Sequence, residues 1–402
     1  MVLVVVARAS LASLCQAAFL NKIGLHVLSG PTIAHPAPAE KSWPMRRKLM
    51  GMVGLTLALT VIPAAVPAKP AVVALGPAYR DAHLGLQAGN VVVMSSGDIS
   101  PPTNETKVDD YATSEIILAA HPDLVLTLGD NQYETGSGAM FHSAIGFDGS
   151  WGRIKGLIRP AEGNHDAADP GAGSPGFQEY FADNLANLEC TRLNPPCRPD
   201  LGYYDFDLPN GWYVLVLNSN CGRAIAGTGD VQTPACGRGS AQLAWLGFAQ
   251  QRRHGGQTSG QKCSIAVWHH ERWGTWFFAD DPATHEFWLT LNHFHADIVL
   301  SGHTHSTARL GPMTPLGHLA AAGGGIRQIS AGAGGRSLSP LRLNLPREGT
   351  RYRNGSKYGV NRLVLTSSTS PAGWQGGTWI SEFDYADGTV ADNRNSSAGC
   401  WP

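Results

Sequence analysis

The chain has 402 residues, enough for one large α/β domain or for two or three smaller domains. Its 30 lysine and arginine residues nearly balance 31 aspartate and glutamate residues, and the body of the chain has no basic run, so a surface that tracks a nucleic-acid backbone is not expected. Only 15% of the residues are charged, while glycine numbers 48 and proline 26, which favours a loop-rich globular enzyme over a coiled coil or a disordered chain.

The amino-terminal region has the pattern of an export signal. A basic patch at 45–48 (MRRK) precedes an apolar stretch at 49–66, and small residues then predict signal-peptidase cleavage after Ala68. A basic segment belongs at the start of a signal peptide, so Met45 is the expected initiator. Residues 1–44 would then be a non-translated segment upstream of the true start codon, with a real amino-terminal extension as the alternative. The protein would then contact the membrane only during export. We expect 69–402 to form one catalytic domain, with its core at about 88–340 and carboxyl-terminal strands at 341–400.

The elements that follow alternate between strands and helices. After a first strand beginning at Val91, helical spacing predicts a helix over 107–121 that Pro122 ends, and 124–128 predicts the next strand of a βαβ unit. Later patterns predict a loop-rich surface excursion at 168–200 and a hairpin of strands 202–206 and 212–217. They also predict amphipathic helices at 242–251 and 282–295, and tail strands at 361–366 and 377–384. Strands interleaved with helices and hairpins indicate a mixed sheet.

Six cysteines remain when Cys15 is omitted, and an even number in an exported chain suggests disulfides. Closeness in the sequence favours two local pairs, and elimination leaves a third that would tie the carboxyl tail to a central strand: Cys190–Cys197, Cys221–Cys236 and Cys263–Cys400. The chain has no CxxC pair, which argues against a zinc ribbon. Buried free thiols are the alternative for several of the six.

Five apolar runs each end in residues that bind hard metal ions: VVVMSSGD at 91–98, LVLTLGDNQY at 124–133, IRPAEGNHD at 158–166, SIAVWHH at 264–270 and DIVLSGHTH at 297–305. Open α/β sheets place their chemistry in loops just beyond the carboxyl ends of strands, so we expect these ends to converge. The candidate ligands are Asp98, Asp130, Tyr133, Asn164, His269, His303 and His305.

Carboxylate, phenolate, amide and imidazole groups together suit manganese, iron or zinc. One carboxylate can bridge two ions, and Asp130, on the second run, is the best candidate. Two adjacent ions would hold a bridging hydroxide and clamp the attacking and leaving oxygens of an in-line displacement. A single run is weak support, since an aspartate at a strand end more often caps a turn. Five runs of this kind favour a two-metal hydrolase.

In the types and order of these five runs, the chain resembles the calcineurin-like metallophosphoesterases over most of the span from Val91 to Ala331. The blocks GD, GDxxY, GNHD, a strand ending in histidine, and GHxH occur in that family's order. Most members carry D-x-H in the first block, whereas Asp98 is followed here by Ile99 and Ser100. The purple acid phosphatase branch also lacks that histidine and uses the tyrosine of GDxxY instead, which corresponds to Tyr133.

The chain departs from that branch in two places. It has GDIS where the purple phosphatases have GDxG, and no histidine follows the fourth block in ERWGTWFFAD. Exported bacterial metallophosphoesterases with GDI, GDNQY, WGRxK, GNHD, WHH and GHxH are closer in pattern. The resemblance implies a four-layer α/β/β/α sandwich with mixed sheets.

The resemblance also implies a centre of two divalent or trivalent ions. One ion would be held by Asp98, Asp130, Tyr133 and His305, and the other by Asp130, Asn164, His269 and His303. Tyrosine is a weak ligand because its pKa is near 10, so ligation by Tyr133 favours Fe(III) there, with a tyrosinate-to-iron absorption band in the visible. The second ion would be iron, zinc or manganese.

Other residues are candidates for contact with the substrate. His165 would stabilise a phosphoryl oxygen or protonate the leaving alcohol, with Asp166 as its orienting partner. His270 follows a ligand on a strand and faces either the substrate or the opposite side. Aromatic residues after the fourth block would stack on an aryl group or a nucleobase, or else pack on the core: Trp273, Trp276, Phe277 and Phe278.

The sequence therefore predicts an exported dinuclear phosphoester hydrolase acting on a small phosphoester, most simply a phosphomonoesterase with a metal-bridging hydroxide as nucleophile. A phosphodiesterase or nucleotidase with the same site is the alternative. A non-catalytic binding protein on the same scaffold is the alternative of another class, and intact ligand positions count against it.

Overall fold

A computed structural model of the chain describes residues 89–102, 109–168, 174–208, 210–222, 234–254, 263–275, 280–321, 324–341, 346–366, 377–392 and 398–400. Its strands are β1 Val91–Ser96, β2 Leu124–Leu128, β3 Ile158–Ala161, β4 Tyr204–Asp207, β5 Tyr213–Val216, β6 Ser264–Val267, β7 Ile298–Ser301, β8 Thr307–Met313, β9 Ile326–Ala331, β10 Thr350–Asn354, β11 Gly359–Leu365, β12 Thr378–Tyr385, β13 Val390–Ala391 and β14 Ala398–Gly399. Its α-helices are α1 Asp109–Ala120, α2 Gly138–Phe141, α3 Pro175–Tyr180, α4 Ala182–Leu185, α5 Ala241–His254 and α6 His285–His293.

The strands form two mixed sheets. The first has the order β13-β12-β11-β1-β2-β3, with β14 beside β12, and the second has the order β10-β8-β9-β7-β6-β5-β4. Strands β1, β2 and β3 are parallel in the first sheet, and β5, β6, β7 and β9 are parallel in the second. All residues of β1, β2, β6 and β7 are buried, as the continuous apolar runs of parallel strands require.

Helices cover the outer faces of the two sheets, and the sheets contact each other. Helix α1 packs on β11 and β12 of the first sheet. On the second sheet, the rings of Phe287 and Trp288 in α6 meet Trp268, just after β6. Between the sheets, the hydroxyls of Thr307 and Tyr385 lie 2.7 Å apart. The predicted α/β/β/α sandwich with mixed sheets is confirmed.

Most predicted elements occur close to their predicted bounds, including the tail strands, which pair in antiparallel register as β11 and β12. The excursion at 168–200 differs from the prediction, because it contains helices α3 and α4 and buries aromatic side chains such as Phe177 and Phe181. Strands β8, β9 and β10 were not predicted. Their sequences mix glycine, proline and arginine with apolar residues, so their alternation is weak.

All three expected cysteine pairs occur as disulfides: Cys190–Cys197, Cys221–Cys236 and Cys263–Cys400. The third joins the residue before β6 in the second sheet to the residue after β14 in the first sheet, so a covalent bond connects the two sheets. Within the part of the chain that is described, no helix has the length and apolar character needed to cross a bilayer.

Candidate metal centre

The candidate ligands lie just beyond the carboxyl ends of parallel strands from both sheets. The first sheet contributes Asp98 after β1, the pair Asp130 and Tyr133 after β2, and Asn164 after β3. The second sheet contributes His269 after β6, and His303 with His305 after β7. Hydrogen bonds hold these ends together, among them those from Gly97 N–H to the Ala331 carbonyl (2.8 Å) and between His269 Nδ1 and the Leu128 carbonyl (2.8 Å).

Tyr133 lies at the centre of the oxygen donors. Its hydroxyl is 2.8 Å from Asp98 Oδ1, 2.8 Å from Asp130 Oδ2 and 3.1 Å from His305 Nε2. His305 Nε2 is also 3.2 Å from Asp98 Oδ1. These are the four residues that the resemblance assigned to one ion, and they meet around one point. Both carboxylates and the phenol are almost fully buried.

The histidines of the second sheet meet the same carboxylates from the other side. His269 Nε2 is 3.2 Å from Asp130 Oδ2 and 3.3 Å from His303 Nδ1. Ligand atoms of Asp98, Asp130 and His269 all lie within 4.8 Å of one another, and so do those of His269, His270 and His303. Asp130 therefore joins the two groups of donors, as expected of a bridging carboxylate.

A further donor supports a cation in this position. The side-chain oxygen of Asn164 is buried and has no hydrogen-bond partner among the described residues. A buried amide oxygen without a partner costs free energy, and a metal ion would satisfy it. Two buried carboxylates that face imidazoles and a phenol are the donors that iron, zinc or manganese prefer. The residues present therefore fit a metal centre, although their assignment as ligands stays a prediction.

Backbone conformation at the candidate ligands is unusual. Asp98, Asp130, His303 and His305 have φ values of 57°, 50°, 71° and 49°, in the left-handed region that side chains other than glycine rarely adopt. Such conformations persist where the surrounding structure enforces them, and they concentrate at functional sites. Four in one cluster indicate that these loops are shaped to aim side chains inward.

Glycines allow the loops to approach the carboxylate of Asp98. A Cβ atom on Gly332 would lie 2.6 Å from Asp98 Oδ2, and one on Gly302 would lie 2.9 Å from the same oxygen. Gly332 directly follows β9, so the absence of a Cβ atom there lets the loop after β9 reach Asp98.

The protonation of the cluster reflects its burial and its charges. Burial, followed by the charges of Asp130 and Asp98, raises the pKa of Tyr133 well above 10.0, so the phenol would ionise only against a cation. Burial disfavours an imidazolium at His269, yet the charge of Asp130 raises its pKa to about 9. Burial likewise opposes ionisation of Asp130, but His269 and then His165 lower its pKa overall. A metal ion would replace the proton that His269 carries.

His165 lies at the solvent side of this cluster. Its backbone N–H donates to Asp130 Oδ1 (2.8 Å), and its ring lies 4.2 Å from the ring of Tyr133. Its Nδ1 is 2.6 Å from the carbonyl oxygen of Glu134, so Nδ1 carries a proton and Nε2 is left for another group. The side chain is 31% exposed, and a substrate could reach it.

Asp166 has a different position from the expected one. Its carboxylate is buried and accepts from Gly163 N–H (2.9 Å) and from the backbone and side chain of Asn131 (3.1 and 2.8 Å). The bonds of His165 within the described residues go elsewhere, to Asp130 and Glu134. This geometry favours a structural role for Asp166, which ties the loop after β3 to the loop after β2.

Ser100 occupies the position at which most members of the resembled family carry histidine. Its hydroxyl donates to Asp110 Oδ2 (3.0 Å) at the start of α1, and its carbonyl accepts from Tyr133 N–H (3.0 Å). Residue 100 therefore contributes no metal donor and instead positions the loop that carries the tyrosine.

The ends of β5 and β9 carry supporting residues that the sequence analysis missed. Ser219, after β5, accepts from His270 N–H (3.0 Å), and its hydroxyl lies 2.9 Å from His270 Nδ1. Ser337, after β9, has its hydroxyl 2.6 Å from His305 Nδ1. His270 is buried, with its ring 4.5 Å from that of His303, so it faces the centre. A serine at a strand end has no pattern that distinguishes it from other turn residues.

Of the four aromatic residues expected either to stack on the substrate or to pack on the core, only Trp273 is described, and 276–278 lie outside the described residues. Trp273 is buried, packs on Trp288 and has the guanidinium of Arg272 at 3.6 Å from a ring centroid. These contacts favour the structural alternative for Trp273.

Comparison with protein-family profiles and with curated protein sequences gives no match. Among solved structures, a purple acid phosphatase from seeds of yellow lupin (Lupinus luteus) is similar over 78% of this chain and 54% of the lupin chain, with a TM-score of 0.52 and 15% identity. This chain thus spans about half the length of that protein. At this identity the likeness establishes the fold alone.

Two more distant structures have TM-scores below 0.5. PhoD is similar over 78% of this chain and 72% of its own, at 10% identity and a TM-score of 0.48. The GAP50 anchor of the inner membrane complex of Plasmodium is similar over 77% of this chain and 89% of its own, at 11% identity and a TM-score of 0.49.

Proposed function

We propose that the protein is an exported, dinuclear metal-dependent phosphoester hydrolase, and that it acts on small phosphomonoesters. The observation that carries this proposal is the cluster around Tyr133, whose hydroxyl lies within 3.1 Å of Asp98, Asp130 and His305. The fold shared with a phosphatase is in keeping with it. Bound ions would supply Lewis-acid charge and an activated hydroxide for attack on phosphorus.

The residues of the chain would hold and orient the reacting groups. The ligands proposed for one ion are Asp98, Asp130, Tyr133 and His305, and those for the other are Asp130, Asn164, His269 and His303. Iron in the first position would give Tyr133 a visible charge-transfer band. His165 would place Nε2 at the phosphoryl group, because Nδ1 is occupied by the Glu134 carbonyl. From there it would stabilise a phosphoryl oxygen or protonate the leaving alcohol.

His270 would take part as a residue that contacts the substrate or as an additional donor. Its ring lies against that of His303, and Ser219 fixes its orientation. The three disulfides support export, because such bonds persist in oxidising compartments. We further propose that a signal peptide at 45–68 is removed and that 69–402 form the mature enzyme.

The test is hydrolysis of a matched pair, an aryl phosphate monoester and the methyl diester of the same aryl alcohol. Rates are measured with manganese, iron or zinc, and with a chelator. We expect monoester turnover that requires metal. His303→Ala should lower this rate about a hundredfold or more, because replacing a residue that only hydrogen-bonds to a metal ligand already costs about 10–100-fold. His293→Ala, on an exposed helical histidine, is the matched control and should retain the wild-type rate.

Each outcome decides between the candidate activities. Metal-dependent turnover of the diester alone would replace the monoesterase with a phosphodiesterase at the same site. Absence of turnover with every metal, in a folded protein that binds metal, would favour a binding protein on this scaffold.

A further inference from the structure

The loop after β9 brings a permanent cation to the edge of the centre. The backbone N–H of Arg336 donates to the carbonyl of Asp98 (3.0 Å), and its guanidinium lies 5.1 Å from the centroid of the Tyr133 ring. The next residue, Ser337, contacts His305. The peptide at 336–337 therefore touches three of the candidate ligands, and the position of Arg336 is fixed by the same contacts that build the centre.

Glu134 orients the guanidinium. Arg336 Nη2 lies 2.5 Å from Glu134 Oε1, and the other carboxylate oxygen of Glu134 is 3.5 Å from His165 Nδ1. Arginine, glutamate and histidine thus form a row beside Tyr133, on the side where His165 is partly exposed. The side chains of Arg336 and Glu134 are 19% and 47% exposed, so solvent and substrate can reach this row.

We propose that Arg336 contacts the phosphoryl oxygens of the substrate and makes the site selective for monoesters over diesters. This inference rests on the proposed phosphoester hydrolysis and names the residue that sets its substrate class. Two carboxylates, a phenolate and a hydroxide would offset most of the charge of one trivalent and one divalent ion. A monoester is close to a dianion at neutral pH, because its second ionisation occurs near pH 6, whereas a diester carries one negative charge. Because Glu134 balances the charge of Arg336, the selectivity would come from the guanidinium N–H groups, which donate more strongly to the more highly charged oxygens of the monoester.

The geometry of arginine suits this role. Its planar guanidinium presents donors in a fork that matches phosphate oxygens, and charge-assisted bonds of this kind are stronger than neutral ones. The bond from Nη2 of Arg336 to Glu134 Oε1 holds the guanidinium beside the Tyr133 ring. The substrate would be bound between the guanidinium and the metal centre, with His165 next to it.

The experiment compares wild type with Arg336→Ala and Arg336→Lys on the matched monoester and methyl diester. We expect Arg336→Ala to lower kcat/KM for the monoester by about tenfold to a hundredfold, the value of a hydrogen bond between charged groups, and to change the diester by about threefold or less. Arg336→Lys should recover part of the monoester rate, and added guanidinium ion should partly rescue Arg336→Ala. Arg198→Ala, which breaks an exposed pair with Asp200, is the control and should change neither substrate.

A second measurement separates this inference from the proposed function. Binding of inorganic phosphate to the metal-loaded protein is measured by calorimetry for wild type and Arg336→Ala, together with metal content. If the inference holds, phosphate binds about tenfold more weakly to the variant while metal content is unchanged. Equal losses on both esters, or phosphate binding unaffected by Arg336→Ala, would show that Arg336 only supports the Tyr133 loop. A wild type that binds phosphate through Arg336 but hydrolyses neither ester would remove the enzymatic proposal and leave this contact standing.

Discussion

The two sheets contribute different chemistry to the centre. Loops of the first sheet supply oxygen donors, from two carboxylates, a phenol and an amide, whereas loops of the second sheet supply imidazoles. The oxygen donors and the imidazoles contact each other where the two sheets pack together, as Asp130 does with His269 (3.2 Å) and Tyr133 with His305 (3.1 Å). Neither sheet alone offers a complete ligand set. The centre is therefore a property of the docked sheets, and metal binding and docking should stabilise each other.

The largest effect is expected at the residue that joins the two sets. Asp130 contacts Tyr133 within its own sheet and His269 of the other. Asp130→Asn should lower metal-dependent turnover by about 10³-fold or more, because it weakens the binding of both ions. Replacing a residue that only hydrogen-bonds to a metal ligand already costs about 10–100-fold. Steady-state rates with saturating metal provide the measurement.

The control for Asp130→Asn is Asp200→Asn, which changes an exposed carboxylate far along the chain in a 3₁₀ turn. It should leave the rate unchanged. If Asp130→Asn retained more than about a tenth of the activity, the bridging assignment would be wrong.

The second-largest effect is expected from the disulfide that links the two sheets without contacting the candidate ligands. Cys263–Cys400 connects the sheets and closes a separation of 137 residues. Replacing both cysteines with serine should lower the free energy of unfolding by about 4 kcal/mol, because long closed loops restrict the unfolded chain most. Urea unfolding under non-reducing conditions measures it.

Cys190–Cys197 is the matched control, since it spans only 7 residues within one excursion. Its removal should cost about 2 kcal/mol, and a loss equal to that of the long-range pair would contradict the view that the disulfide secures the docked sheets.

Metal should stabilise the docked state by a smaller amount. A free metal concentration of 100 times the dissociation constant should raise the free energy of unfolding by about 2.7 kcal/mol. At one fixed metal concentration the gain should grow as the pH rises toward about 9, because the pKa of His269 is about 9 and the ring must lose its proton to bind metal. Thermal unfolding with and without chelator measures the gain, and Asp130→Asn should lose most of it. Equal gains at low and high pH would argue against His269 as a ligand.

Some loops of the centre could be predicted from the sequence and others could not. Loops with candidate ligands, such as those at Asp98 and Asp130, follow continuous apolar strands, so both their type and their order are visible in the chain. Strand β9 and its loop lack this signal, because their glycines serve a close approach to Asp98 that exists only in the folded protein. Arg336 and Glu134 are separated by 202 residues, and nothing local marks them as partners.

Asp166 shows a further limit of sequence patterns. The GNHD block places it next to His165, which suggested a pair, yet a carboxylate in a tight loop more easily accepts nearby backbone N–H groups. Its bonds to Gly163 and Asn131 follow that rule. Spacing predicted which residues converge on the centre but not which atoms face it.

The smallest expected effect lies at Ser337, which contacts His305 but would not touch an ion. Its hydroxyl is 2.6 Å from His305 Nδ1, so it holds the ring with Nε2 directed at Asp98 and Tyr133. Ser337→Ala should weaken metal binding about tenfold, at the low end for groups that orient a ligand, since packing still confines the ring. Metal titration against a competing chelator measures this, and Ser337→Thr, which keeps the hydroxyl, is the control. If Ser337→Ala bound metal like wild type, the orientation of His305 would depend on its strained backbone, where φ is 49°, and the β9 loop would serve the substrate rather than the metal.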